Sequence, residues 1–141
     1  MKESKFTKFL RFKRFFYKKR IIFISKPLDF LYKVIFCCDI PASVKIGKGS
    51  KFAHSGLACV IHPRTEIGKW CKIYQNVTIG SRNGEGPPKI GDNVYIGAGA
   101  CILGNISIGN NVKIGANAVV LKDIPDNCCV VGIPGKILPN K

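Results

Sequence analysis

Ile90-Gly-Asp-Asn-Val-Tyr-Ile96-Gly-Ala-Gly-Ala-Cys-Ile102-Leu-Gly-Asn-Ile-Ser-Ile108-Gly-Asn-Asn-Val-Lys-Ile114-Gly-Ala-Asn-Ala-Val-Val120 places an apolar anchor at every sixth residue without a slip. Glycine follows Ile90, Ile96, Ile108 and Ile114. Upstream, Ile40, Ile46 and Phe52 form one block of the same spacing, and Ile61, Ile67, Ile73 and Ile79 another. A period of six is neither helical nor simple strand alternation, so it denotes a repeat architecture. The residue four places after each anchor is small or β-branched, as at Val44, Ser50, Thr65, Cys71, Val77, Val94, Ala100, Val112 and Ala118. Two inward positions per hexad suit a short flat strand and a tight corner, where glycine lets backbones approach. Three hexads then close one triangular coil, and coils stack at the strand spacing of roughly 4.8 Å. The expectation is an all-β solenoid of 13 hexads, a little over four coils, in which only the stack buries a core.

The 141 residues suit one solenoid, residues 37–141, with a helical appendage, residues 1–36. Seven cysteines with no scaffold spacing read as reduced, small core fillers of a cytoplasmic protein. Cys59-x-x-His62 with His54 nearby lacks a fourth ligand, so no metal is expected. The net charge of +15 is uneven: residues 1–36 hold 11 Lys/Arg against Glu3 and Asp29, residues 37–141 hold 12 against 6 acids. The charged opening reads as no signal peptide, and Lys26, Pro27, Asp29 and Lys33 interrupt any spanning helix. Residues 5–24 mix bases with aromatics, as a basic amphipathic helix does. Ser25 is expected to cap a second helix with Pro27 in its first turn. Leu28, Leu31, Tyr32, Ile35 and Phe36 then share one face, expected to cap the open end of the solenoid. The basic segment suits a packed helix face or peripheral contact with anionic lipid; with no nucleic-acid fold beside it, no nucleic-acid partner is expected.

Two breaks interrupt the period. Nine residues separate Phe52 from Ile61, and eleven separate Ile79 from Ile90. Repeat proteins carry binding loops at such breaks. The first holds His54, and an imidazole titrating near neutrality can serve as general base for a hydroxyl nucleophile. Asp39, fifteen residues earlier, falls half a side from the position below His54 in an eighteen-residue coil, where a carboxylate could orient the ring. The second break is the polar loop Ser81–Pro88, with Arg82, Asn83 and Glu85 as candidate substrate contacts. After Val120 the repeat is expected to end, with residues 130–136 making one last extended pass.

These residues resemble a known family. Asp39-Ile, Lys45-Ile-Gly-x-Gly49, His54, Val77-Thr-Ile-Gly80, Pro88-Lys-Ile90, Ile96-Gly-Ala-Gly-Ala100-x-Ile-Leu-Gly-Asn-Ile106, Lys113-Ile-Gly-Ala-Asn-Ala-Val-Val120, Pro125 and Val131-Gly-Ile-Pro134 together are similar to serine O-acetyltransferase and its short relatives. Those are hexapeptide-repeat acyltransferases, some of which acetylate capsule or exopolysaccharide sugars. The resemblance covers about residues 28–138. It implies a left-handed parallel β-helix, a homotrimer with sites between subunits, and acetyl-CoA as donor. It also implies His54 as catalytic base, Asp39 as its partner, and a backbone N–H near Gly80 as oxyanion donor. Counted by eighteens, Gly80, Ala98, Ala116 and Pro134 would stack on one edge along the pantetheine arm, with Lys122 or Lys136 on the nucleotide phosphates.

Departures from the family point to the acceptor. Pro87 stands where serine acetyltransferases carry a second active-site histidine, and Ala53 where they carry an aspartate that helps hold serine. The long helical N-terminal domain is reduced to about 36 basic residues. The acceptor expected first is therefore a glycan hydroxyl of a surface polysaccharide or its precursor. Serine, as in cysteine biosynthesis, is the alternative, and a non-catalytic scaffold binding membrane or a partner is a third.

Overall fold

A computed structural model describes residues 5–139, apart from the side chains of Ile22, Ser25, Tyr32 and Pro139. Two helices, α1 (Lys5–Lys18) and α2 (Ile22–Phe36), precede a solenoid of short strands. One face stacks β1 (Lys45–Ile46), β4 (Glu66–Ile67), β7 (Lys89–Ile90) and β10 (Ser107–Ile108). The second stacks β2 (Lys51–Phe52), β5 (Lys72–Ile73), β8 (Tyr95–Ile96), β11 (Lys113–Ile114) and β13 (Cys128–Val131), with β14 (Lys136–Pro139) beyond. The third stacks β3 (Val60–Ile61), β6 (Thr78–Gly80), β9 (Cys101–Leu103) and β12 (Val119–Val120). All pairings are parallel except β13 with β14. The hexapeptide period thus builds the expected left-handed β-helix.

The anchors form axial ladders because a parallel register puts equivalent residues in line. Phe52 pairs with Ile73, Ile73 with Ile96, Ile96 with Ile114 and Ile114 with Val130. Ile61, Ile79, Ile102 and Val120 make the ladder of the third face. All of these are buried. The fully buried Ser50 keeps its hydroxyl satisfied: Oγ donates to Gly68 O at 2.6 Å and accepts from Cys71 N at 2.9 Å. Several corners take left-handed backbone at asparagines, which tolerate it better than most residues. Asn93, Asn111 and Asn127 have φ of 56°, 57° and 60° and bond in a ladder, Asn93 Nδ2 to Asn111 Oδ1 at 2.9 Å and Asn111 Nδ2 to Asn127 Oδ1 at 3.0 Å.

At the corner after the first face, glycines stack backbone on backbone. A Cβ on Gly68 would overlap the carbonyl of Gly91 and the Asp92 carboxylate. Gly68→Ala is expected to destabilise by about 1–3 kcal/mol, the usual range for overpacking. Urea unfolding checks it; wild-type stability would show that the coils separate there at no cost.

The ends differ from the sequence expectation. Helix α1, rather than α2, closes the open first coil. Phe6 and Leu10 join the solenoid core, and Thr7 and Lys13 are buried with them. The first coil has no strand beneath it, so its carbonyls need other donors. Lys13 Nζ donates to Ile40 O at 2.8 Å, Arg14 Nη1 to Val44 O at 2.6 Å, and Arg11 to Gly47 O. Arg11, Lys13 and Arg14 of α1 therefore serve the backbone edge, and α2 lies outside them. Ser25 does not begin α2: the helix starts at Ile22, its N-cap Ile21 makes no side-chain cap bond, and Pro27 lies inside it. Tyr32's predicted share in the apolar face lies outside the described side chains. At the other end the repeat outlasts Val120. Ile124 bridges to Ile108, and Val130 continues the second ladder. The last pass is a hairpin, because β14 turns back antiparallel on β13.

Candidate active site

The first break in the period is a tight turn at the edge between the second and third faces. Residues 53–56 form it, with His54 at φ 49°, ψ 36° and Ser55 at φ 56°, ψ 27°. Two consecutive non-glycine residues in left-handed backbone cost about 1–3 kcal/mol each, and such strain clusters at functional sites. Gly56, packed under Phe6 and Ile40, seats the turn on the core. The turn leaves His54 exposed beside a cleft lined by Lys5, Phe6, Lys51, Ala53, Ser55 and Lys72.

An aromatic and cationic cluster continues from it. The ring centroids of His54 and Tyr74 are 6.3 Å apart, and those of Tyr74 and Tyr95 5.3 Å. Lys72 Nζ stands 4.7 Å from the Tyr74 centroid. Its hydrogen bond to the Tyr74 hydroxyl, followed by that from Tyr95, holds the Tyr74 phenol below its ordinary pKa; the same contacts raise Lys72 and Tyr95. Lys51, Lys72 and Tyr95 each precede an anchor of the second face, an outward position. That placement is readable in the sequence, but outward positions carry no period of their own that marks them.

Asp39 is not beside His54. It bridges to Val60 on the third face, its N–H donating to Cys59 O and its carbonyl accepting from Ile61 N, both at 2.8 Å. Its carboxylate pairs with Lys33 Nζ at 2.9 Å, which raises the lysine's pKa. Asp39 lines a second cleft with Val60, His62, Thr78, Gly80 and Ser81. Among the described residues no hydrogen bond joins Asp39 to His54. Asp39 lies beneath Val60, on the third face, whereas His54 sits in the turn that precedes that strand. His62, weighed only as a metal ligand, faces this second cleft, with Nδ1 accepting from Arg64 N at 3.2 Å. Among the described residues no group of three metal-ligating side chains is present.

The proposed coenzyme column divides in two. Gly80 pairs with Leu103, not with the level of Ala98, because the Ser81–Pro88 loop lengthens that coil to twenty-three residues, Ile79 to Ile102. Ala98 and Ala116 do share an edge: Asn117 N donates to Ala98 O at 2.8 Å, and Gly99 N to Gln75 O at 3.1 Å. Both alanines lie between the second and third faces, the edge that bears His54 in the first coil. Ala116 stands three coils above His54, roughly 14 Å along the axis. Pro134, Lys122 and Lys136 gather with Leu121 around a cleft of about 510 Å³ at the last coil. Arg82, Asn83 and Glu85 are exposed, and Glu85 N closes a turn on Arg82 O at 2.9 Å. That loop packs over Gly104 and Asn105 and does not line the His54 cleft.

Residues 87–122 match the family model described as bacterial transferase hexapeptide (six repeats). A serine acetyltransferase of Synechococcus elongatus is 40% identical over 125 residues, covering 86% of this chain and 51% of that protein. A solved serine acetyltransferase in complex with coenzyme A from Brucella abortus strain S19 superposes with a TM-score of 0.87 at 32% identity, over 94% of this chain and 54% of its own. A Neisseria gonorrhoeae serine acetyltransferase in complex with serine does so with a TM-score of 0.84 at 35% identity, over 92% and 53%. The chain thus spans about half the length of the relatives it matches. Ladders, glycine corners and matched repeats make it a hexapeptide-repeat, left-handed β-helix protein, and the proteins it resembles are serine O-acetyltransferases.

Proposed function

We propose that this chain transfers an acetyl group from acetyl-CoA to a hydroxyl, with L-serine the first acceptor to test. The observation that carries the reading is His54, held in strained backbone at the base of the edge that presents Ala98 and Ala116. The relatives' names supply donor and acceptor. His54 takes the acceptor's hydroxyl proton, and the oxygen attacks the thioester carbonyl. The tetrahedral adduct collapses to the O-acetyl ester, and the departing thiolate takes the proton back from the imidazolium. The pantetheine arm runs past Ala116 and Ala98, and Lys122 and Lys136 meet the phosphates as point charges.

The assembly we propose is a homotrimer with its sites between subunits. One protomer leaves His54 and Asp39 in separate clefts. Apposing the third face of one copy to the His54 edge of the next would bring Asp39 and the Gly80 backbone to the imidazole, as orienting carboxylate and oxyanion donor.

One feature favours a glycan hydroxyl as second reading. The described lining of the His54 cleft holds three lysines and Ala53 but no carboxylate, so the ammonium of a free amino acid finds no counter-charge there. A panel of acceptors separates the readings through thiol release from acetyl-CoA. Release with serine supports the first, release with sugars alone moves the acceptor to a glycan, and release with none removes the catalytic reading and leaves a scaffold.

A further inference from the structure

Helix α2 is turned inside out. Its carboxylate, Asp29, faces α1 and pairs with the buried Lys13, and Phe36 packs edge-on against Phe6 with centroids 5.7 Å apart. At 100° per residue, Phe23, Phe30 and Val34 fall on one line of the opposite side, with Leu31 and Ile35 beside them. Their side chains are 94%, 70%, 61%, 49% and 58% exposed. Phe12 and Phe15 of α1 are each 55% exposed. A contiguous apolar stripe of this kind marks a surface that something apolar covers.

The surrounding charge says what that is. Residues 5–36 carry ten Lys/Arg against the single acid Asp29; Arg11, Lys13 and Arg14 are engaged by the first coil and Lys33 by Asp39, which leaves six. Lys18, Lys19 and Arg20 stand exposed at the turn between the helices, and Lys26 flanks the stripe. A second copy seated on this face would bring two such cationic segments together, whereas anionic headgroups would neutralise them. The stripe is also convex, a helix of 15 residues and about 22 Å, the form that lies flat in a bilayer interface with its lysines reaching the headgroups. We infer that α2 and the end of α1 dock on an anionic lipid surface. Among the described residues no helix is long and apolar enough to cross a membrane, so the contact is peripheral. It would hold the first coil, and with it His54, at the bilayer. The inference is independent of which hydroxyl is acetylated.

The test is sedimentation of the full chain with vesicles of phosphatidylcholine alone and of phosphatidylcholine with phosphatidylglycerol. Wild type is expected to sediment with the anionic vesicles only. Removing one exposed cation, as in Lys19→Gln, should weaken binding roughly fivefold. The Phe23→Ser/Phe30→Ser/Val34→Ser variant keeps every charge and alters only outward side chains, so its melting curve should match wild type. It should bind at least roughly tenfold more weakly, since each phenyl ring withdrawn from lipid loses its apolar burial. The proposal is overturned if wild type ignores anionic vesicles, or if the triple variant binds them as wild type does. It is equally overturned if wild type fails to bind lipid and is a larger oligomer that the triple variant dissociates, which would assign the stripe to a second copy.

Discussion

His54→Ala is expected to lower kcat/KM for acetyl transfer by roughly 10²- to 10⁴-fold, the share that a positioned base supplies. On the proposed mechanism the loss should fall on kcat, because the imidazole would act on the proton in flight while the coenzyme would be held elsewhere on the edge. His54→Asn is the companion variant, since asparagine accepts the left-handed backbone that His54 adopts at φ 49°. It should fold as well as wild type and remain as inactive as alanine. His54 is exposed, so neither variant should lose core packing. Steady-state kinetics read this directly; unchanged turnover in either variant removes His54 as the base.

Lys13→Ala is expected to destabilise the protein by about 3 kcal/mol, the lower end for breaking a buried charge pair, because Asp29 retains some solvent. Lys13 is 1% exposed, and its ammonium bonds Ile40 O at 2.8 Å while pairing with Asp29. It is the point at which α1, α2 and the first coil meet. Alanine there strands a carboxylate and an edge carbonyl and leaves a cavity beside Leu10 and Phe6. Lys13→Met keeps the apolar stem and should recover part of the loss. Urea unfolding of the three proteins gives the order wild type, methionine, alanine. Equal midpoints would show that the end cap contributes nothing to global stability.

The six-residue period was enough to read the solenoid, because each anchor reports one strand and nothing else in a chain repeats that way. The same arithmetic misplaced Gly80. A ladder is counted in coils, and coils of twenty-one and twenty-three residues shift every later position away from multiples of eighteen. His54 was legible as the residue inside the first break; its left-handed strain was not, since an isolated His-Ser pair carries no signal for it. The cluster of Lys72, Tyr74 and Tyr95 escaped because outward positions have no pattern of their own. The helices misled for a different reason. An apolar helical face reads as buried, yet of the expected set Phe36 packs inward while Leu31 and Ile35 stay exposed, because α1 has already occupied the end of the core and offers Lys13 to Asp29.

A crystal structure of the protein with coenzyme A tests most directly whether this edge is an acyl-transfer site. The thiol is expected beside His54, the pantetheine arm across Ala98 and Ala116, and the phosphates toward Lys122 and Lys136. Coenzyme bound elsewhere, with its sulfur remote from His54, would contradict the account.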